Sequence, residues 1–356
     1  MPISCDIFCK IVDNFGDAGV CWRLSRQLAR ELGWRIRLWI DDVGPLCALR
    51  PGVDAGRDEQ AIDGVEIRRW TREFPAVEPA RIVIEAFACE LPDSYVRAMA
   101  QRPPVWINLE YLSAEDWVAG CHAKASPHPS LPLTKYFFFP GFTAGTGGLI
   151  RERDADFGVR LPGAALTVSL FCYENAALPA LLDTWAAGDE PMVCRVAEGW
   201  PRRQVAAWLD EAFLPGSAAR SGALALQALP FLPQPEYDRV LGSCDLNFVR
   251  GEDSFVRAQW AERPFVWQIY PQADAAHEPK LDAFLDRYAD GLDRDAAQAL
   301  RTFFASWNGT GSAATAWPAL RTALPRLAAH SHPWAKRIAT AGNLAENLAT
   351  FCHKWI

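Results

Sequence analysis

The chain lacks the patterns that mark several large protein classes. Its six histidines show no HxxxH or HExxH spacing, so no zinc-site signature is present and no metal is expected. His330 and His332 lie close together, but Pro333 follows them and no acidic or thiol partner is near in sequence. No run approaches the eighteen or so apolar residues of a membrane span. The first residues, Met1-Pro2-Ile3-Ser4-Cys5-Asp6, offer neither a basic n-region nor a long apolar stretch. Basic charge is not in excess: 36 Lys and Arg against 43 Asp and Glu leave a net charge of −7. Nucleic acids and anionic membranes want a basic face, so neither is expected as a partner; an acidic surface suits a basic one better. There is no GxGxxG and no P-loop, which speaks against a dinucleotide-binding Rossmann enzyme or an NTPase. The ten cysteines include no CxxC pair and lie mostly inside apolar runs. They read as buried, reduced thiols of a cytoplasmic protein, not as a disulfide framework.

What is present is a globular composition: 356 residues, 50% hydrophobic, 22% charged, with fifteen tryptophans that belong mostly to the core. A single core stops growing at roughly 250–300 residues, so two domains are expected. The clearest unit comes first. Cys5–Val12 is an apolar run suited to a buried strand, and Asp13-Asn14-Phe15-Gly16-Asp17-Ala18-Gly19 is turn chemistry. Val20, Leu24, Leu28 and Leu32 then recur at helical spacing up to Gly33, and Arg35–Ile40 is a second strand. Strand, glycine turn, amphipathic helix and strand make a βαβ unit, with the Asp13–Gly19 loop at the C-terminal edge of a parallel sheet. Further strands are expected at Arg81–Phe87, Pro104–Leu109 and Tyr136–Phe142. A second series follows at Leu166–Phe171, Met192–Val196, Leu224–Gln227, Leu246–Val249 and Pro264–Trp267, with helices between. The organisation expected is therefore 1–150, 151–330 and a helical tail, 331–356, with packing back on the N-terminal domain as one option. No repeat of fixed period is visible.

Two loops carry chemistry. In Asp13–Gly19, two carboxylates sit four residues apart between a strand and a helix. Either Gly16 and Gly19 let a ligand approach while Asp13 or Asp17 acts as a base, or Asp13 forms the turn and Asp17 caps the helix. In Asn247-Phe248-Val249-Arg250-Gly251-Glu252-Asp253-Ser254, an apolar strand again runs through a glycine turn into a helix. Unpaired amides at Glu252, Asp253 and Ser254, with Arg250 beside them, suit a phosphate; the alternative is an ordinary capped helix start. Phe171-Cys172-Tyr173-Glu174-Asn175, Pro230-Phe231-Leu232-Pro233-Gln234 and Trp267–Gln272 likewise place aromatics and amides just after strands. They are either base-stacking groups or loop packing. Together they suggest a nucleotide-diphosphate site in the second domain, with the base coming from the first.

Asp13–Val20, Asn108-Leu109-Glu110-Tyr111-Leu112-Ser113, Phe138-Phe139-Pro140-Gly141-Phe142, Arg250–Ser254 and Trp267–Gln272, in this order, resemble the bacterial elongation factor P arginine rhamnosyltransferases over nearly the whole chain. The resemblance implies an α/β fold of the GT-B type, two Rossmann-like domains facing across a cleft. It implies rhamnose transfer from dTDP-β-L-rhamnose to one arginine of elongation factor P, with inversion and without a metal or further cofactor. Asp17 would be the general base, with Asp13 and Glu252 also needed for activity. Phe171 and Phe231 would flank the thymine and Gln234 would read it. Tyr173, Arg250, Asp253, Ser254 and Tyr270 would hold sugar and diphosphate, and Asn14, Phe15, Gly16 and Gly251 complete the donor-binding set. The competing expectations are a GT-B enzyme with another donor or acceptor, and a non-catalytic nucleotide-sugar-binding module.

Overall fold

The computed structural model describes residues 2–13, 15–161, 163–271 and 277–356. The chain divides into two compact units, one formed by Met1–Asp154 with Arg337–Ile356 and the other by Ala155–Lys336. The first contains β1 (Ser4–Cys9), α1 (Phe15–Leu32), β2 (Arg35–Ile40), α2 (Gly44–Leu49), β3 (Glu59–Ile62), β4 (Val65–Arg69), β5 (Ile82–Ala86), α3 (Asp93–Met99), β6 (Val105–Leu109), α4 (Trp117–Cys121), β7 (Ala125–Pro127) and β8 (Thr134–Phe138). The second contains β9 (Leu166–Leu170), α5 (Leu178–Ala186), β10 (Met192–Val196), α6 (Trp200–Leu209), β11 (Ala218–Ser221), β12 (Leu224–Ala228), α7 (Gln234–Gly242), β13 (Leu246–Arg250), α8 (Asp253–Trp260), β14 (Phe265–Gln268), α9 (His277–Ala289) and α10 (Arg294–Trp307). Helix α11 (Ala313–Ala339) carries the chain back to the first unit, where α12 (Leu344–Cys352) ends it.

The first sheet runs β3-β4-β2-β1-β5-β6-β8-β7. Its six inner strands are parallel, and β3 and β7 join antiparallel at the edges. The second sheet runs β11-β12-β10-β9-β13-β14, parallel except for the edge strand β11. Both have the doubly wound order, in which the direction of strand addition reverses once. It reverses between β1 and β5 in the first unit and between β9 and β13 in the second. Ligands of such sheets bind in the crevice that opens at the carboxyl ends of the two strands flanking the reversal. Each unit is thus a Rossmann-like α/β domain.

Burial explains the strands. In β5 and β6 every residue is buried, as a strand covered on both faces requires. Cys5, Ile7, Leu24, Leu28, Ile36, Leu38, Ile84 and Ile107 share one core with Leu344, Leu348 and Cys352, so α12 packs on the first unit. Phe8, Trp39, Tyr95, Met99 and Trp106 form the core on the other face of the sheet. Asp6 is buried on β1 but fully engaged: it accepts from Arg37 Nη2 at 2.7 Å, from Ala80 N–H at 3.0 Å and from the Tyr95 hydroxyl. Trp22, Trp39, Trp185 and Trp307 are among the largest fully buried side chains, whereas Trp117, Trp200 and Trp355 are exposed. All ten cysteines are unpaired; Cys121 is exposed and Cys47 half-buried, so the expectation of burial fails at these two.

Two expected elements differ in the structure. The strand expected at Tyr136–Phe142 runs from Thr134 to Phe138. Beyond it, the Phe139 N–H turns to His122 Nδ1 at 3.1 Å, and Pro140 has no N–H to give a neighbour. The start of the helical tail expected at 331–356 belongs to a longer helix that passes through Pro318, Pro325 and Pro333. All three prolines lie on its exposed side, where water can take the carbonyls they leave without a donor. Trp317, Leu320, Leu324, Leu327, Trp334 and Ile338 fill the buried side at helical spacing.

Candidate active site

In the first unit, the loop after β1 and the start of α1 build a carboxylate site at the reversal point. Asp17 lies in the first turn of α1 and is 2% exposed. It does not cap the helix, which begins two residues earlier. Its Oδ2 instead accepts the backbone N–H groups of Val12 and Asp13, each at 2.8 Å, and so ties the loop to the helix. Its Oδ1 faces the Tyr111 hydroxyl at 3.4 Å. Burial pushes the Asp17 carboxyl above the usual range, and the two amides and the Tyr111 hydroxyl pull the other way without cancelling it. Asp41, at the end of β2, adds a like charge and accepts the Ile11 N–H at 2.9 Å.

Asp13 stands beside this group. Its carbonyl accepts the Gly16 N–H at 2.6 Å, and its carboxylate folds over the same glycine. A Cβ at position 16 would lie 2.5 Å from Asp13 Oδ2, so only glycine lets Asp13 take this pose. Phe15 opens α1 and packs on the first unit's core; Asn14 lies outside the described residues.

The adjacent strands β5 and β6 bring Phe87, which the sequence alone did not single out, to Tyr111 of the Asn108–Ser113 motif. Phe87 follows β5 with φ +56°, and Ala88 has φ +52°. Left-handed backbone at a non-glycine residue costs about 1–3 kcal/mol, and such strain persists where the surroundings impose it. Here the Phe87 N–H bonds to the Leu109 carbonyl at 2.7 Å and the Ala88 N–H to Asn108 Oδ1 at 3.2 Å. The Phe87 ring then stacks on Tyr111, centroids 4.3 Å apart and planes 11° from parallel. The Asn108 side chain also donates to Glu110.

In the second unit, β9 and β13 flank the reversal, and their ends converge. The Arg250 guanidinium carbon lies 4.6 Å from the Phe171 ring centre and 4.4 Å from that of Tyr173. Two aromatic faces therefore hold one cation, a contact worth about 0.5–2 kcal/mol each. Tyr270 meets Tyr173 edge-on at 5.4 Å, and Tyr237 of α7 meets Phe171 edge-on at 5.5 Å. Ser254 closes the loop: its hydroxyl accepts the Arg250 N–H at 3.1 Å and donates to the Arg250 carbonyl. Gly251 turns with φ +59°, and its carbonyl accepts the Trp267 indole N–H at 2.8 Å. Glu252 precedes α8 and makes no side-chain cap. Asp253 accepts from Gln234 Nε2 at 2.8 Å, so the residue assigned to the base and one assigned to the diphosphate touch each other. Phe231 and Tyr270 are the exposed aromatics here, 36% and 44%. Gln268, one of the amides of the Trp267–Gln272 segment, accepts the Tyr173 N–H on its Oε1 at 2.9 Å and orients that loop.

Each unit thus brings its loops to the place where its own sheet opens a crevice. Asp13, Asp17 and Gly16 gather in the first, and Phe171, Tyr173, Arg250, Asp253, Ser254 and Gln234 in the second. Among the described residues no group of three or more His, Cys, Asp or Glu is arranged to hold a metal ion, and no helix is long and apolar enough to cross a membrane.

Comparison with known proteins decides what kind of chain this is. The family model for the elongation factor P (EF-P) rhamnosyltransferase EarP matches residues 5–353. The chain belongs to this family. A protein-arginine rhamnosyltransferase of Pseudomonas putida is 47% identical over 373 residues, covering 99% of both chains. One from Neisseria meningitidis is 34% identical, covering 99% of this chain and 98% of its own. A structure solved to explain EarP-mediated arginine glycosylation of EF-P matches with TM-score 0.68 at 33% identity over 99% of each chain. Family membership makes the chain an enzyme, an inverting GT-B glycosyltransferase of the protein-arginine rhamnosyltransferase type.

Proposed function

We propose that this chain transfers rhamnose from dTDP-β-L-rhamnose to one arginine of elongation factor P, with inversion at the anomeric carbon. The observation that carries the mechanism is Asp17: a buried carboxylate, held by two loop amides at the reversal point of the first sheet, with its pKa raised. Arginine is a poor nucleophile while protonated, and its guanidinium stays protonated until far above neutral pH. Asp17 pairs with the guanidinium, orients it and accepts a proton as the C–N bond forms and the bond from sugar to diphosphate breaks. A raised pKa makes it a better proton acceptor than an exposed aspartate. Asp13, pinned over Gly16, supplies a second negative group for the same cation. The departing diphosphate gathers charge, which Arg250 and the amides at the start of α8 stabilise. Phe171, Tyr173, Phe231 and Tyr270 offer the flat surfaces for thymine and sugar, Gln234 the hydrogen bonds, and Glu252 and Asp253 acceptors for sugar hydroxyls.

The test is incubation of the purified protein with dTDP-rhamnose and elongation factor P, followed by intact mass. A deoxyhexose increment on the factor, absent from an Arg→Lys acceptor variant, supports the reading. No increment, with dTDP binding retained, leaves a nucleotide-sugar-binding module. Arg250→Ala is expected to weaken dTDP-rhamnose binding by at least ~10-fold, as for a lost charge-assisted contact; parental affinity would remove Arg250 from the phosphate role.

A further inference from the structure

We propose that Tyr111 is the positioning residue of the base: its hydroxyl fixes the second oxygen of Asp17, and its ring is fixed in turn by Phe87. The inference deepens the proposed function and rests on Asp17 being the base.

A carboxylate held through one oxygen still turns about its C–C bond. Asp17 Oδ2 is saturated by the Val12 and Asp13 amides at 2.8 Å. Oδ1 is the oxygen left to take a proton, and the Tyr111 hydroxyl stands 3.4 Å from it. That distance is long for an O–H···O bond, and catalytic hydrogen bonds commonly tighten only once substrate is bound. Tyr111 and Phe87 follow the neighbouring parallel strands β6 and β5. Phe87 meets Tyr111 from a left-handed backbone that continues into Ala88, the two residues held by bonds to Leu109 and Asn108. A strained backbone serves here to lay one ring on another at 4.3 Å, and the second ring carries the hydroxyl that faces the base. The groups that act on Asp17 are the backbone amides of Asp13 and Val12 and the Tyr111 hydroxyl, which favour its ionised form, and the like charge of Asp41 just after β2; the buried Cys9 thiol of β1 also feels its charge. Glu110, beside Tyr111, takes the Asn108 amide. Tyr111 is the side-chain donor to Asp17, beside the two backbone amides and against the like charge of Asp41, so its removal shifts the balance one way.

The hydroxyl donates to the ionised carboxylate and favours that form. Tyr111→Phe keeps the ring and its stack but removes the donor. It is expected to move the acid limb of the kcat–pH profile to higher pH and to lower kcat about 10-fold at neutral pH, with KM for dTDP-rhamnose unchanged. A purely structural role would lower Tm or raise KM and leave the limb in place. An unmoved limb in a folded Tyr111→Phe variant overturns the inference. If that variant does not fold, Phe87→Leu is read in the same way, because it frees the Tyr111 ring: a limb that moves up supports the proposal, and one that stays refutes it. Asp17→Asn separates the two levels. Were it to transfer rhamnose normally, the base assignment itself would fail. With Asp17→Asn inactive and the Tyr111→Phe limb unmoved, only the inference falls.

Discussion

Replacing Gly16 by alanine is a change of one methyl group that should cost almost no stability and most of the activity. The methyl would arrive 2.5 Å from Asp13 Oδ2 and 3.2 Å from its Cγ. Real Cβ contacts of this kind sit near 3.4 Å or beyond, so the carboxylate must retreat by roughly an ångström. It can do so, because it is the end of a side chain and not backbone. Position 16 is helical, with no positive φ, and alanine there gains up to about 1 kcal/mol of helix propensity over glycine. Stability should therefore hold or rise slightly. Displacing a positioning group by about an ångström can cost on the order of 100-fold in rate. The assay pairs a thermal melt with initial rates of sugar transfer read by intact mass. The expected outcome is Tm within a few degrees of the parent and a rate lowered by ~30-fold or more, with dTDP affinity kept. A folded Gly16→Ala variant at full rate would mean that the pose of Asp13 is irrelevant to the reaction, and the reasoning would fail.

The buried Asp17 makes a prediction of opposite signs for stability and activity. Its folded pKa is raised above the ordinary value of about 3.9, so its contribution to stability is fully present below that value and lost as pH rises through the folded one. At neutral pH the ionised carboxylate is a cost. Asp17→Asn, whose carbonyl can still accept the Val12 and Asp13 amides, should hold or raise Tm at pH 7 while transfer falls by 10²-fold or more; a Tm several degrees lower would refute the sign. The buried pair Arg257–Asp238, 2.9 Å apart with side chains 1% and 4% exposed, holds α8 against α7. Arg257→Ala strands a buried carboxylate and should cost about 3–5 kcal/mol by urea denaturation, whereas Arg257→Met with Asp238→Leu should recover most of it. Equal losses in the single and double variants would show that packing, not charge, sets the cost.

Much of the fold was legible because most inner strands are short apolar runs and the helices between them carry 3.6-residue periodicity; the inner strand β4, with the charged sequence Val65–Arg69, was not. Leu166–Leu170 and Met192–Val196 could be read almost to the residue. The edge strands could not: β3, β7 and β11 have the sequences Glu59–Ile62, Ala125–Pro127 and Ala218–Ser221, too short and polar to alternate. Three prolines hid the length of α11, because a proline's cost depends on which face it occupies, and that is a tertiary fact. The two glycine turns were visible as chemistry, since carboxylates or an arginine beside glycine at the end of an apolar run are costly unless used. What the linear sequence could not contain is convergence. Phe171, Tyr173 and Arg250 come from two strands adjacent only because the sheet order reverses there. Phe87 and Tyr111 meet through a backbone conformation that no side-chain pattern announces.

The thiols give the protein a built-in reporter. Burial pushes Cys244 up to about 11, Cys172 and Cys352 up to about 12, and Cys5, Cys89 and Cys194 upward as well, while Cys9 is raised by its hydrogen bond with Cys21 and then by burial. The thiolate is the reactive species, so at neutral pH these groups are shielded twice, by access and by ionisation. Cys121, at the end of α4, is exposed. A maleimide dye should therefore mark the native chain fastest at Cys121, with the half-buried Cys47 of α2 following. Each further dye taken up then counts a core strand or helix that has opened, and the labelling stoichiometry becomes a gauge of which unit unfolds first.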